Sequence, residues 1–399
     1  MSVRVTQLMA SGAGGGAQVH VQNLIERLPS AGFDVEVISL SDGPAVRRLR
    51  AAGVAVHVVD EREDGSALAA VLNLLVARPP QILHNHMYRA EVIGTRAALA
   101  LSETGLPRPY IVSTIHSSRV RSTEDRETVR LLTPSMDRLI AVSRAIIAKL
   151  VAEGRTQAAI ELVYNGVDLQ RYEYTEACCT LPEEYGFAEG TPLVGVVARL
   201  EPEKGHHTLI EAWPGVLEQV PQARLLIIGE GSERAVLEAR AEGLRLLGDA
   251  CSGDACVGTR HARPGARLVF TGLRDDVPAV TAALDVAVLP SYREAQGLAI
   301  LEAMALRRPV VASAVGGVTE MIEHERTGLL VPPGDAPALA NAITRVLTDH
   351  PLADSIARAG HDLAHARFSL EAMMRAVVEI YEDGVATYEA RRGAARTAA

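Results

Sequence analysis

Apolar and β-branched runs recur through the first part of the chain, at 3–9, 35–40, 54–59, 81–84, 110–115, 138–142 and 161–164. Between them apolar positions fall at helical spacing, as at 17–28, 67–77 and 144–152. Strands alternating with helices predict a parallel sheet covered by helices on both faces. The runs are continuous rather than alternating, as strands buried on both sides require. The rhythm stops near Asp168, and 171–191 is mixed, with Cys178, Cys179, Pro182, Gly186 and Gly190, which predicts an inter-domain connection. It restarts with apolar runs at 193–197, 224–228, 267–270, 285–289, 309–313 and 329–331. The fold expected is α/β, with two doubly wound, Rossmann-like domains at 1–175 and 190–370 facing a central cleft. Helical patterns at 337–347, 352–368 and 370–391 close the chain. The segment 371–399 is expected to pack back on the first domain, its last residues, 393–399, fraying.

Composition narrows the function. With 48% hydrophobic and 22% charged residues the chain can bury a core, which excludes global disorder. Forty basic against 49 acidic residues give a net charge of -9, a poor match to nucleic acid, so any anion must be held by a local site. Four cysteines are too few for a disulfide scaffold. Cys251, Cys256 and His261, in an aperiodic stretch at 247–266 that reads as a surface insertion, match no closed zinc pattern. No apolar stretch is long enough to span a bilayer, and the expectation is a cytoplasmic protein. Arg119, Arg121, Arg126 and Arg130 leave room for a weak peripheral membrane contact, although Glu124, Asp125 and Glu127 interrupt them.

Four places carry candidate chemistry. Glycines at 12 and 14–16 lie between the first strand and the next helix, where backbone N–H groups can approach an anion. Asp42 follows the second strand, about where a dinucleotide-binding fold places its ribose acid, so a nicotinamide oxidoreductase stays open. Arg199 and Lys204 fall just beyond the strand 193–197, at the edge that faces the ligand crevice of an open α/β sheet, and two cations there can clamp a diphosphate. After the strand 285–289 a helix is expected near Gly297, with the N–H groups of Gly297, Leu298 and Ala299 pointing into the crevice. Glu294 before it and Glu302 within it accept hydrogen bonds only, which suits sugar or ribose hydroxyls. His116 closes the strand 110–115, and His84 and His86 end the strand before it. Their H-x-H spacing is metal-like, but no carboxylate partner is evident.

In this order and spacing, Glu294-x7-Glu302 with Ala303-Met304-Ala305, the 14–18 loop, Val142-Ser143-Arg144, Tyr164 to Asp168, Arg199 with Lys204, Ile227 to Gly231, Phe270 to Leu273 and Gly316-Gly317 resemble retaining nucleotide-sugar glycosyltransferases of the GT-B fold, glycosyltransferase family 4. The resemblance covers nearly the whole chain. It implies a hexosyl transfer from a nucleotide-diphosphate sugar, UDP-linked by preference, to a hydroxyl of a small-molecule, glycan or lipid-linked acceptor. It implies that Arg199 and Lys204 bind the diphosphate in place of a divalent metal, so neither metal nor cofactor is expected. By the same resemblance Glu302 holds the ribose and Glu294 a sugar hydroxyl, aided by Gly297, Leu298 and Ala299. Gly15 and Gly16 lie near the phosphates, and Leu273 and Arg274 meet the base. His116 flanks the donor sugar, while His86 and Arg119 lie toward the acceptor. A nucleotide-sugar epimerase on the same fold and a catalytically silent sugar-nucleotide binder are the other readings.

Overall fold

The computed structural model describes residues 2–13, 15–119, 121–173, 181–248 and 262–398. Gly14, Cys178, Cys179 and the Cys251, Cys256 and His261 group lie outside the described residues. The chain forms two compact units, one of residues 1–166 with 370–399 and the other of residues 167–369.

Unit 1 holds β1 (Val3–Met9), β2 (Phe33–Ser39), β3 (Val56–Val58), β4 (Ile82–His86), β5 (Tyr110–Ile115), β6 (Arg138–Ala141) and β7 (Ala159–Leu162). They form one sheet in the order β3-β2-β1-β4-β5-β6-β7, every pair parallel. Unit 2 holds β8 (Leu193–Val197), β9 (Arg224–Ile228), β10 (Leu268–Gly272), β11 (Val286–Leu289), β12 (Val310–Ser313) and β13 (Leu329–Val331). Their order is β10-β9-β8-β11-β12-β13, again all parallel. Each order reverses once, between β1 and β4 and between β8 and β11. Loops leaving the carboxyl ends of those strand pairs diverge to opposite faces and open a crevice, where such sheets bind ligands.

The helix Leu370–Ala398 belongs to unit 1 although it ends the chain. Its apolar residues Leu370, Met373, Met374, Val377, Ile380 and Tyr381 recur at helical spacing and enter the core beside Val5, Ile82 and Val112. Each such side chain, fully buried, contributes about 1.5–3 kcal/mol. The helix runs on to Ala398 rather than fraying from 393, because Gly393 is followed by an alanine-rich run with strong helix propensity. Residues 181–185 are not part of a loose connection. Leu181 and Tyr185 are buried in the core of unit 2 against Leu193, Leu226 and Leu284. The largest fully buried side chain there is Trp213, whose Nε1–H donates to the carbonyl of Arg267 at 3.0 Å.

Candidate active site

In unit 2 the loops after β8 and β11 are stapled together. Gly205 sits at φ 69°, and a Cβ there would lie 2.0 Å from the carbonyl oxygen of Pro290. Only glycine allows the 202–205 turn to press so close to the second loop. The N–H of Tyr292 donates to the carbonyl of Glu203 at 2.9 Å, and the Tyr292 hydroxyl pairs with Thr208 Oγ1 at 2.8 Å. This contact brings Lys204 to Glu294: Nζ donates to Oε1 at 2.6 Å, and Ser291 Oγ donates to the same oxygen at 2.9 Å. The Glu294 residue is 8% exposed, so its charge needs that pairing. Gly205→Ala is expected to destabilise unit 2 by about 1–3 kcal/mol through strain at a positive φ. A chemical denaturation midpoint equal to wild type would show that the turn can relax.

Gly316 and Gly317 let the next loop pack under the same segment, since a Cβ on Gly316 would lie 2.0 Å from the carbonyl of Glu294. The helix Leu298–Ala305 starts behind Gly297. The N–H groups of Leu298 and Ala299 have no carbonyl a turn below them within that helix, which leaves donors for an anion. Arg199, half exposed, pairs with Glu203 at 3.2 Å. Glu302, one turn into the helix, accepts a hydrogen bond from Tyr172. The residue as a whole is partly exposed, yet its carboxyl is enclosed. Burial pushes it above the ordinary carboxyl range, against the opposing pull of Tyr172 and the nearby charge of Arg171. Tyr172 was not foreseen, because it lies in the stretch read as a connection.

One sequence expectation changes. Leu273 is exposed, open to a flat ligand. Arg274 is not available to a base: its side chain is 2% exposed, and the guanidinium donates to Glu184 at 2.5 Å, the Tyr185 hydroxyl at 2.9 Å and both carboxylate oxygens of Asp276 at 2.7 and 2.6 Å. These bonds hold its charge firmly and tie 184–185 to the loop after β10. Asp276 stands at the N-cap of the helix Val277–Ala282, but its side chain makes no cap hydrogen bond there and serves Arg274 instead.

In unit 1 the glycines of the first loop divide their work. Gly12 is a packing glycine, its Cβ position 2.7 Å from the carbonyl oxygen of Ser41. Asp42, exposed, accepts the N–H of Gly43 at 2.7 Å within its own turn. Gly15 and Gly16 open the helix Gly16–Arg27.

That helix carries His20 into a cluster that sequence reasoning saw only in part. His84 and His86 share one face of β4, their rings 4.1 Å apart. His116 follows β5, and its Nε2 lies 3.2 Å from His86 Nδ1. His20 packs edge-on to His116, ring centroids 4.7 Å apart. Burial pushes His20 down to about 4 and holds His84, His86 and His116 well below the usual 6.5. All four are therefore neutral at pH 7. His86 is 1% exposed, so it does not meet an acceptor directly as expected, because β1 and β5 flank its strand and His116 lies against it. Arg119 is exposed.

The ring nitrogens of His20, His86 and His116 lie within 4.8 Å of one another. Zinc at about 2.0–2.1 Å from each nitrogen would set them about 3.3 Å apart. His86 Nδ1 and His116 Nε2 lie at about that separation, 3.2 Å, and pair with each other as in an imidazole network. Of the arginines near a supposed lipid face, Arg121 lies over the Tyr88 ring with its side chain 10% exposed, and Arg130 is held by both oxygens of Glu127. Among the described residues no helix is long and apolar enough to cross a membrane.

Comparison with known proteins gives consistent matches. Residues 14–171 match the family described as Glycosyltransferase Family 4, and residues 191–349 match that described as Glycosyl transferases group 1. An uncharacterized glycosyltransferase of Methanocaldococcus jannaschii is 26% identical over 92% of this chain and 94% of its own. A D-inositol 3-phosphate glycosyltransferase of Corynebacterium jeikeium is 25% identical, over 96% of each. Among solved structures, Anabaena HepE in complex with UDP and glucose superposes with a TM-score of 0.82 and 24% identity, covering 96% of this chain and all of that one. The two parallel-sheet units are those of the GT-B fold.

Proposed function

Because the chain belongs to the group 1 and family 4 glycosyltransferases, we propose that it moves a hexosyl unit, with retention of configuration, from a UDP-linked sugar to an acceptor hydroxyl. The observation that carries the reading is the Lys204–Glu294 pair, held between the ends of the two strands at the reversal of the unit 2 sheet. The UDP and glucose of the HepE structure support the choice of base and sugar.

The chemistry follows from charge. As the bond from C1 to the diphosphate oxygen breaks, negative charge grows on the leaving group and positive charge on the sugar. Lys204, Arg199 and the N–H groups of Leu298 and Ala299 are fixed donors for that negative charge, and they need no reorganisation at the moment of reaction. In this reading they take the place of a divalent metal, so chelation with EDTA leaves turnover unchanged. Glu294, oriented by Lys204 and Ser291, accepts from a hydroxyl of the sugar, and Glu302 accepts from the ribose. His116 is assigned a hydroxyl of the transferred sugar. The acceptor oxygen forms its bond to C1 on the face the diphosphate leaves, and its proton passes to the departing phosphate. The acceptor is a hydroxyl of a small molecule, a glycan or a lipid-linked sugar.

A thermal-shift panel of UDP-glucose, UDP-N-acetylglucosamine, GDP-mannose and ADP-glucose tests the donor. A ligand at 100 times its dissociation constant stabilises the fold by about 2.7 kcal/mol. UDP-sugars are expected to give the largest shift, and no shift with any of the four would reject the reading. Glu302→Ala is expected to weaken UDP binding about tenfold or more in calorimetry, the cost of a lost charge-assisted hydrogen bond. An unchanged affinity would remove Glu302 from the ribose site.

A further inference from the structure

Gln7 is a polar residue in the centre of β1, fully buried between two chains of hydrogen bonds. Its amide Nε2 donates to the Tyr381 hydroxyl at 2.8 Å. Its Oε1 lies 2.7 Å from His86 Nε2. A carbonyl oxygen only accepts, so His86 Nε2 carries the proton. A neutral imidazole has one proton, which leaves His86 Nδ1 bare. That bare nitrogen lies 3.2 Å from His116 Nε2, which must therefore be the donor. His116 is then protonated on Nε2, and its Nδ1 keeps a lone pair.

The other side of the network accommodates the same direction of the amide. The Tyr381 hydroxyl accepts from Gln7 and donates to His84 Nδ1 at 2.6 Å. His84 Nε2 then donates to Thr114 Oγ1 at 2.7 Å. Turning the Gln7 amide over would reverse every bond in both chains and move the His116 proton to Nδ1. Tyr381 reaches the network from the C-terminal helix, 374 residues along the chain from Gln7.

We propose that Gln7, paired with Tyr381 and acting through His86, is a positioning residue that fixes His116 as its Nε2–H tautomer and so offers a bare Nδ1 to a hydroxyl of the transferred sugar. The assignment rests on the transferase reading for the identity of that hydroxyl, while the tautomer itself does not depend on it. Burial keeps the imidazoles neutral, so proton position, and not charge, is what the network controls. An imidazole in the wrong tautomer turns a donor toward a group that should be offered an acceptor.

The test uses the full chain labelled with 15N-histidine, with His116 assigned by the signal lost in His116→Gln. Long-range proton–nitrogen spectra of wild type at pH 7.5 are expected to show a protonated Nε2 and a bare Nδ1. Gln7→Met removes both ends of the amide and should give a mixed tautomer signal. It should lower the rate of UDP release from UDP-glucose about tenfold in kcat, the scale of one hydrogen bond, with KM and UDP affinity close to wild type. Tyr381→Phe removes only the partner of the amide nitrogen. It should shift the tautomer balance in the same direction by less, and it serves where Gln7→Met folds poorly. Wild-type His116 protonated on Nδ1, or an unmoved spectrum in both variants, overturns the proposal. Failure of wild type to bind UDP would instead sink the transferase reading and leave the tautomer measurement standing.

Discussion

Lys204→Ala is expected to lower turnover by about 10²–10³-fold, the cost of removing one preorganised donor from a site where negative charge develops. Two losses combine in that figure. The leaving diphosphate loses a cation, and Glu294 loses the partner that holds its enclosed carboxylate at 2.6 Å. A double-mutant cycle separates them. If Lys204 acts only by holding Glu294, then Lys204→Ala adds nothing to Glu294→Gln. If it also meets the diphosphate, the double variant is slower than either single one, though less than the product of the two, because the residues touch. Arg199→Ala is the companion measurement. Its guanidinium is half exposed and its pairing with Glu203 is a surface ion pair, worth about 0–1 kcal/mol. Turnover should therefore fall while the melting temperature stays put. Lys204→Ala within a few-fold of wild type in UDP release from UDP-glucose would remove the lysine from the reaction.

Much of this site was legible in the sequence because the strands are buried on both faces. β1, β5, β8, β9 and β13 coincide with their apolar runs to the residue. The half-exposed edge strand β7 does not: its apolar signal is thin, and the expected 161–164 lies two residues downstream of Ala159–Leu162. Lys204 and Glu294 were readable as separate candidates, since each follows a recognisable strand. Their pairing was not, because it depends on β8 and β11 being neighbours across the reversal of strand order. The histidine network needed still more. Gln7 pairs in register with His84, and Met9 with His86, while His86 pairs with Thr114. In the sequence Gln7 is a lone polar residue within an apolar strand, and nothing near it points to Tyr381. Arg274 misled for a related reason. A loop arginine reads as a ligand contact until its three local partners are seen.

Lowering the pH from 7 to 5 is expected to destabilise the protein by several kcal/mol, and the buried histidines are the cause. A histidine whose folded pKa lies below its unfolded value of about 6.5 is neutral in the fold while the unfolded chain takes up a proton. The stability it supports is complete above pH 6.5 and is lost as the pH falls from there toward the folded value. His20 in unit 1 and His206 in unit 2 are both pushed down to about 4, chiefly by burial. By linkage each then removes about 2 kcal/mol between pH 7 and 5. His84, His86 and His116 shift in the same direction, so unit 1 carries the steeper dependence. The window lies above the ordinary carboxyl range of about 3.9–4.3, which limits the part played by aspartate and glutamate. Urea midpoints at the two pH values measure the effect, and His20→Leu, which has no proton to gain, should reduce the pH sensitivity by its share of about 2 kcal/mol. A midpoint that does not move between these pH values would mean that the imidazoles are already hydrated in the fold. The bare nitrogens on which the network depends would then be open to water.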